Sequence, residues 1–385
     1  MKKEYDIIFC GCGLSTLIFL QKIISDSYFD NKSILVIEKN PYSIPKKTWS
    51  FWESKNSKWN DFVIKSWDNI SFKSHNFNTK KKLDTINYKM IKSELFYKKI
   101  LDDLKSLTNI TFHNAEVKSV QDNGNQVKVN TDSNQFLGNK VFNSIIDNSY
   151  LEDDNYPVLL QHFMGWSIKV NEDRFDENTA LLMDFSIKQN DETRFFYVLP
   201  TSRREALVEF TLFSKNILDD KQYEAEIHNY LLSLKIDDYT INESEKGIIP
   251  MTCYPFDKKN SKNLINIGTA GGWTKPSTGY TFRFIDKYSS KLIDFLKSNK
   301  SFKKFKTKNR FWFYDLLFLD VLYYNNKLGS NLFERMFKYN KFNSIFKFLD
   351  NESSFTDEIK IISSFPKWIF IKSLIKNIPK IIYRF

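Results

Sequence analysis

Three cysteines in 385 residues, Cys10, Cys12 and Cys253, are sparse and odd in number. That excludes a disulfide framework and points to a reducing compartment. Cys10-Gly11-Cys12 has the wrong spacing for a zinc knuckle or a thioredoxin-type pair, so both thiols read as small packing residues and no metal site is expected. Long apolar runs are missing as well. The most apolar stretch, Phe311 to Tyr324, is too short to span a bilayer. At the N-terminus, Met1-Lys-Lys-Glu-Tyr-Asp leads into an apolar run, Ile7 to Cys10, that glycines cut off before a signal core forms. The chain is therefore expected on the cytoplasmic side. It has no internal repeat and no low-complexity linker.

What is present is a 42% hydrophobic composition and enough length for two or three domains. The formal charge of +11 invites a nucleic-acid partner, but the lysines are spread along the chain and no nucleic-acid fold signature accompanies them. No nucleic acid is expected, and an anionic membrane surface suits the charge better. The aromatic content of 16%, with 36 Phe and 19 Tyr, suits a large apolar ligand or a lipid-facing surface. Over-use of Lys, Asn, Ile and Phe together is also what an AT-rich genome produces.

Two stretches carry a cofactor signature. Tyr5 to Cys10 reads as a buried strand, followed by Gly11-Cys12-Gly13-Leu14-Ser15-Thr16 and an apolar-periodic helix. A second strand, Ile34 to Ile37, ends in Glu38 and Lys39, placing an acid where a dinucleotide unit holds a ribose hydroxyl. Thr16 stands at the third glycine position, which implies slightly wider helix–strand packing. The second stretch, Leu264 to Tyr280, ends an apolar run at Gly268. Gly268, Thr269, Ala270, Gly271 and Gly272 let the backbone approach a ligand closely, and Pro276 with Gly279 is expected to open a helix.

Between these stretches, Thr48-Trp49-Ser50-Phe51-Trp52 reads as an aromatic loop. Lys92 to Leu107 reads as a helix with Ser93 as its cap. Asp122-Asn-Gly-Asn125 reads as a hairpin turn, and Val141 to Ile146 as a buried strand ending in Asp147. From Gln161 the pattern turns to strands without helices, at 162–170, 180–187, 193–200 and 206–213, an antiparallel sheet with one covered face. A helix at 221–234 leads out of it. Beyond Lys297 the chain is helical and basic. From Ile359 to Phe385 six basic residues recur among apolar ones with no acid, and Pro366 and Pro379 interrupt any single helix, which suits an interfacial anchor.

Together these segments resemble the lycopene cyclase family of flavoproteins from about residue 5 to 340, with the bacterial lycopene β-cyclase branch most similar. The markers are the Tyr5 to Glu38 unit, Lys47 to Trp52, Leu160-Gln161-His162-Phe163-Met164-Gly165-Trp166, Leu182-Met183-Asp184-Phe185 and Phe196 to Pro200. To these add Ala206-Leu207-Val208-Glu209-Phe210-Thr211, Ile249 to Thr252 and Gly268 to Tyr280. The resemblance implies an α/β fold: a Rossmann-like FAD-binding domain (1–160 and 246–300), an inserted antiparallel-sheet substrate domain (161–245) and a helical C-terminal region (301–385).

It also implies that the ends of lycopene, or another linear carotene, are cyclised to β-rings with reduced FAD and no net redox change, NADPH or NADH being the electron donor. Such chemistry needs an acid, a cation held away from water, and a base. Glu209 is the expected acid, since burial on a strand between apolar residues would raise its pKa; Asp184 is a second candidate. Phe210 replaces the second acid found in many relatives, which puts a two-carboxylate mechanism in doubt. Trp49, Trp52, Phe163, Trp166, Trp273 and Tyr280 are the expected substrate-lining rings, a cation–π contact being worth up to about 2 kcal/mol each when desolvated. Thr269 stands where flavin oxidoreductases carry Asp, and Lys275, where the family often has His, is expected to place a positive charge near the flavin. Two other readings stay open: a flavin-dependent monooxygenase or geranylgeranyl-type reductase, which would consume NAD(P)H stoichiometrically, and a flavin-free basic adaptor.

Overall fold

Buried β-branched runs and glycine turns give three sheets, with helices covering their faces. The computed structural model describes residues 3–40, 46–105 and 107–382. The chain opens with β1 (Glu4–Cys10), α1 (Leu14–Ile23) and β2 (Ile34–Glu38). Then follow β3 (Thr48–Ser54), β4 (Val63–Trp67), β5 (Asn69–Lys73), β6 (Asn78–Lys82), β7 (Ile86–Lys92) and α2 (Ser93–Leu104). Four strands come next: β8 (Ile110–Asn114), β9 (Val117–Asp122), β10 (Val127–Thr131) and β11 (Gln135–Asn143). The middle of the chain holds β12 (Val158–Val170), β13 (Thr179–Asp184), β14 (Thr193–Pro200), β15 (Glu205–Ser214), α3 (Asp220–Ser233) and β16 (Tyr239–Thr252). After β17 (Leu264–Asn266) the chain is helical, with α4 (Phe282–Lys297), α5 (Arg310–Tyr324), α6 (Gly329–Tyr339), α7 (Phe342–Leu349), α8 (Phe355–Ser363) and α9 (Lys367–Ile382).

The first sheet runs β8-β2-β1-β11-β10-β9, with β17 also on β11. Its β1, β2, β8, β11 and β17 pairings are parallel, as βαβ crossovers require. α1 and α4 cover it through Leu17, Leu20, Ile285 and Leu292. The second sheet runs β16-β12-β15-β14-β13-β5-β6 and the third β3-β7-β4. Two strands of the second sheet come from residues 69–82, and β16 continues to Thr252, so the inserted sheet is not confined to 161–245.

Several local expectations change. The aromatic stretch at Trp49 to Trp52 is a strand, not a loop, because alternate rings suit a pleated surface buried on both sides. Phe51 stacks on Phe282 (centroids 4.4 Å apart) and Trp52 on Phe346 (4.5 Å). Ser93 does not cap α2; Lys92 holds the cap position, and Ser93 Oγ accepts the Lys47 amide instead at 2.8 Å. The strand expected to reach Ile146 ends at Asn143. Pro276 does not open a helix. Gly279, at φ +71°, closes a turn in which its N–H donates to Lys275 O at 2.8 Å, and α4 starts only at Phe282. Pro379 does not end α9, which continues to Ile382; its missing N–H gives up the one hydrogen bond to the Ile375 carbonyl. The hairpin turn at Asp122 is as expected, with Gly124 at φ +89°.

Candidate active site

The second sheet is a wall with two unlike faces, and strand alternation decides which side chains reach the cleft. On β15, Val208, Phe210 and Leu212 pack toward α3, against Tyr223, Ile227 and Leu231. Leu207, Glu209, Thr211 and Phe213 face the other way and line a cavity of about 570 Å³. β12 obeys the same rule: Gln161 and Phe163 line the cavity, whereas Met164 and Trp166 join the α3 core. Trp166 is therefore not substrate-lining; its indole lies 6.3 Å from Tyr239 on the far face.

Glu209 is buried, and Thr211 Oγ1 donates to its Oε1 at 2.7 Å. Burial first, and then the Glu245 carboxyl, push its pKa up to about 8; the Thr211 bond pulls the other way. Glu245, half-buried, lines the same cavity from β16. Its pKa is pushed up to about 7 by burial, against hydrogen bonds from Thr48. Gly165 of β12 is paired across the sheet with Glu209 on one side and Glu245 on the other. Nothing in the sequence motif pointed to Glu245; only the register of β16 brings it here.

Above the carboxyls stand three tyrosines. Tyr88 and Tyr197 share a short hydroxyl–hydroxyl bond, and Tyr280 bonds to Tyr88. Burial pushes all three phenols up, Tyr280 to about 12, so they are neutral donors and acceptors. Trp49 and Phe163 complete the aromatic lining with Tyr88 and Tyr197, and Gln161 lies beside them.

The nucleotide turn meets the same cavity. Gly11 adopts φ +88°, and a Cβ there would fall 2.4 Å from Ser144 Oγ, so only glycine fits. Gly13 precedes α1 with no side-chain cap, and Gly13, Leu14 and Ser15 line the cavity, which leaves the helix's first N–H groups to a ligand. Thr16 is buried without loosening the unit, since its hydroxyl donates to Gly11 O at 2.8 Å. Glu38 accepts the Cys12 and Asn40 amides at 2.8 and 3.1 Å, ordering the turn, and Lys39 is exposed beside it. Gly268 (φ +62°) and Thr269 line the cavity opposite, a Cβ at Gly268 falling 2.7 Å from Ser15 Oγ. Two buried polar atoms on this lining have no partner, Gln161 Oε1 and Thr278 Oγ1. Free amides, a cradle closed to any side chain and orphaned acceptors together fit a large polar-and-aromatic ligand such as a dinucleotide.

Other expected residues lie elsewhere. Lys275 does not face this cavity; it is 1% exposed, its Nζ 2.9 Å from Asp315 and 2.7 Å from Asn351 Oδ1. Its charge is spent on a buried carboxylate. Asp184 follows a register shift in β13 that turns it to the α3 face, where it accepts from Tyr230 OH (2.9 Å) and Ser186. It does not line the cavity that holds Glu209. Trp52 donates Nε1 to Asp350 at 2.8 Å and packs among the C-terminal helices, and Trp273 is buried against Tyr288 beneath α4. Ala270, Gly271 and Gly272 form the back of the turn, where a Cβ on Gly271 would strike Asn266 O at 2.3 Å.

The parallel sheet with its glycine turn, the second sheet over it and the C-terminal helices make the fold of FAD-dependent oxidoreductases. A geranylgeranyl bacteriochlorophyll reductase-like protein of Thermoplasma acidophilum shares it at TM-score 0.62 and 11% identity, over 98% of this chain and 100% of that one. So does a mutant of the halogenase PltM in complex with FAD, at TM-score 0.60 and 11% identity, over 96% and 85%. Within that fold, residues 6–374 match the lycopene cyclase protein family, and the chain belongs to it. A lycopene beta-cyclase of Pantoea ananas is 23% identical over 290 residues, covering 73% of this chain and 72% of that protein.

Proposed function

We propose that the protein is a lycopene β-cyclase that closes β-rings on linear carotene ends with reduced FAD and no net redox change. The observation that carries this reading is Glu209, a carboxyl kept protonated by burial in an aromatic cleft beside the nucleotide turn. Gly13, Leu14 and Ser15 would hold the dinucleotide's phosphates, Glu38 a ribose hydroxyl, and Gly268, Thr269, Ser50 and the orphaned Gln161 and Thr278 its ring system. Bound and reduced by NADPH or NADH, FAD would supply negative charge that stabilises a nearby cation. The chain's own work is acid–base. Glu209 donates its proton to a terminal double bond, Thr211 orients the carboxyl, and the rings of Trp49, Phe163 and Tyr280 screen the cation from water.

Among the described residues no helix is long and apolar enough to cross a membrane. α8 and α9 nevertheless present Trp368 (79% exposed), Phe355, Ile359, Ile371 and Ile375 to the surface beside exposed Lys360, Lys367 and Lys372. Beneath them an apolar cavity of about 420 Å³ runs between α5, α8 and α9 to Thr278, which also lines the main cavity. These features support a peripheral seat on an anionic membrane, with the carotene passing inward from the bilayer. Expression in a lycopene-accumulating bacterium tests the function: cyclic carotenes are expected on chromatography. Lycopene left unchanged by soluble, flavin-loaded protein rejects it.

A further inference from the structure

The sequence motif offers one acid, yet a ring closure both gives and takes a proton. The register of the second sheet supplies the other carboxyl. Glu209 of β15 and Glu245 of β16 are each paired with Gly165 of the intervening β12, which puts both carboxyls on one face of the sheet, and both line the same cavity. Strands stand about 4.8 Å apart, which puts the two glutamate backbones about 10 Å apart with no side chain between them. A Cβ on Gly165 would already lie 3.4 Å from Glu209 Cβ and Cγ and 3.0 Å from Leu207 Cδ1, so the glycine keeps the space between the carboxyls open. Among the described residues no ion pair reaches Glu245; the nearby cation Lys92 is held by Glu243 at 2.6 Å. Thr48 is its hydrogen-bond partner.

We propose that Glu245 is the base of the same reaction and the group that returns the proton to Glu209. This rests on the cyclase reading above. Glu209 transfers its proton to the terminal carbon–carbon double bond, leaving a carboxylate and a tertiary cation. An inner double bond attacks that cation, forming the ring bond and moving the positive charge into the ring. Glu245, ionised at rest, removes a proton from the neighbouring ring carbon, and the released electron pair forms the ring double bond. One proton has entered and one has left. The enzyme then holds Glu245 protonated and Glu209 ionised, and proton transfer across the Gly165 gap restores the starting state. The two carboxyls titrate as a pair, with one proton held between them in the active form.

The groups facing the pair are Tyr197, Tyr280 and Tyr88 above, Lys47 and Lys246 at the cavity edge, and the Lys92–Glu243 pair beyond Glu245. Lys246 is itself paired with Asp220. Burial pushes the three phenols up, away from the range in which the carboxyl pair responds.

The test uses full-length, FAD-loaded Glu245→Gln, with Glu245→Asp and Glu209→Gln beside it. Glu245→Gln is expected to lower kcat at least about 100-fold with KM little changed. Removing the like charge also lowers the pKa of Glu209, so the alkaline limb of the residual activity moves to lower pH. Glu245→Asp recovers part of the rate. The same shift appears without substrate, because the decline of denaturant stability with rising pH ends at the folded pKa of Glu209, so that upper end moves to lower pH. Unchanged kcat in Glu245→Gln overturns the proposal, and so does a lower kcat with an unmoved alkaline limb, which marks Glu245 as structural only. Full activity in Glu209→Gln is a separate outcome and removes the cyclase acid itself.

Discussion

Glu209 and Phe210 are neighbours in sequence and belong to opposite sides of one sheet. Glu209 faces the cavity, and Phe210 stacks on Phe196, centroids 5.0 Å apart, in the core under α3. The residue that replaces the second acid of many relatives therefore does not remove a carboxyl from this cleft. Phe210→Glu puts an acid in the core beside Tyr223 and under the Arg194 guanidinium, which lies 5.8 Å from the Phe210 ring, and the lost ring packing should cost about 3 kcal/mol in urea unfolding. It should not rescue cyclisation in a Glu209→Gln background; a rescue would place position 210 in the site.

The raised pKa of Glu209 also fixes a pH dependence of stability. Its folded pKa, about 8, lies above its unfolded value of 4.5. Between those values the folded state binds more protons, so stability declines as pH rises through that window. Glu209→Gln removes this penalty. The variant should gain on the order of a few kcal/mol over the parent at pH 8 and little at pH 4.5, measured by denaturant midpoint. An equal difference at both pH values contradicts the burial of an ionisable group there.

Lys275 and Asp315 form an ion pair with side chains 1% and 5% exposed. Burial pushes Asp315 up and the ammonium pulls it down, with Ser277 Oγ donating to Oδ1 at 2.6 Å. Lys275→Met leaves a buried carboxylate without its partner and should cost about 3–5 kcal/mol. Lys275→Met combined with Asp315→Leu should recover most of that loss. Neither change is expected to move the flavin reduction potential, because the charge removed is already neutralised; a shift on Lys275→Met alone would return the lysine to the flavin.

Membrane binding is expected to depend on the outward faces of α8 and α9. Replacing Trp368 and Ile375 by Ser, and Lys367 and Lys372 by Gln, leaves the residues that pack inward from α9, such as Ser373 and Asn377, untouched. Flotation with vesicles rich in anionic lipid should fall at least tenfold while the melting temperature stays within a few degrees. Lys376 and Lys380 contribute less, since they are held by Asp320 and Asn377 at 2.9 Å each. Unchanged flotation would exclude this face.

Much of the fold was legible because its signals are local. Gly11, Gly13 and Glu38 sit at fixed offsets in a strand–turn–helix unit, and Glu209 stood out through the resemblance of Ala206 to Thr211 to the family's acidic motif. What was not legible depends on pairings far apart in the chain. Glu245 reaches the cleft only because β16 returns beside β12 in one register, and Asp184 leaves it only because β13 slips between Leu181 and Asp184. Trp52 and Trp273 were drawn to the site by ring chemistry that hydrophobic cores use equally well. Nothing local to Lys275 marks its charge as paired, because its partner Asp315 lies forty residues later on α5.

The most direct measurement is the pigment profile of a lycopene-accumulating bacterium carrying the parent protein or Glu209→Gln, with flavin content checked by absorbance in both. The parent should convert lycopene to γ- and β-carotene, and Glu209→Gln should bind flavin equally and leave lycopene unconverted by a factor of at least about 100. A flavin-loaded parent that makes no cyclic product, or a Glu209→Gln protein that makes as much as the parent, contradicts the account.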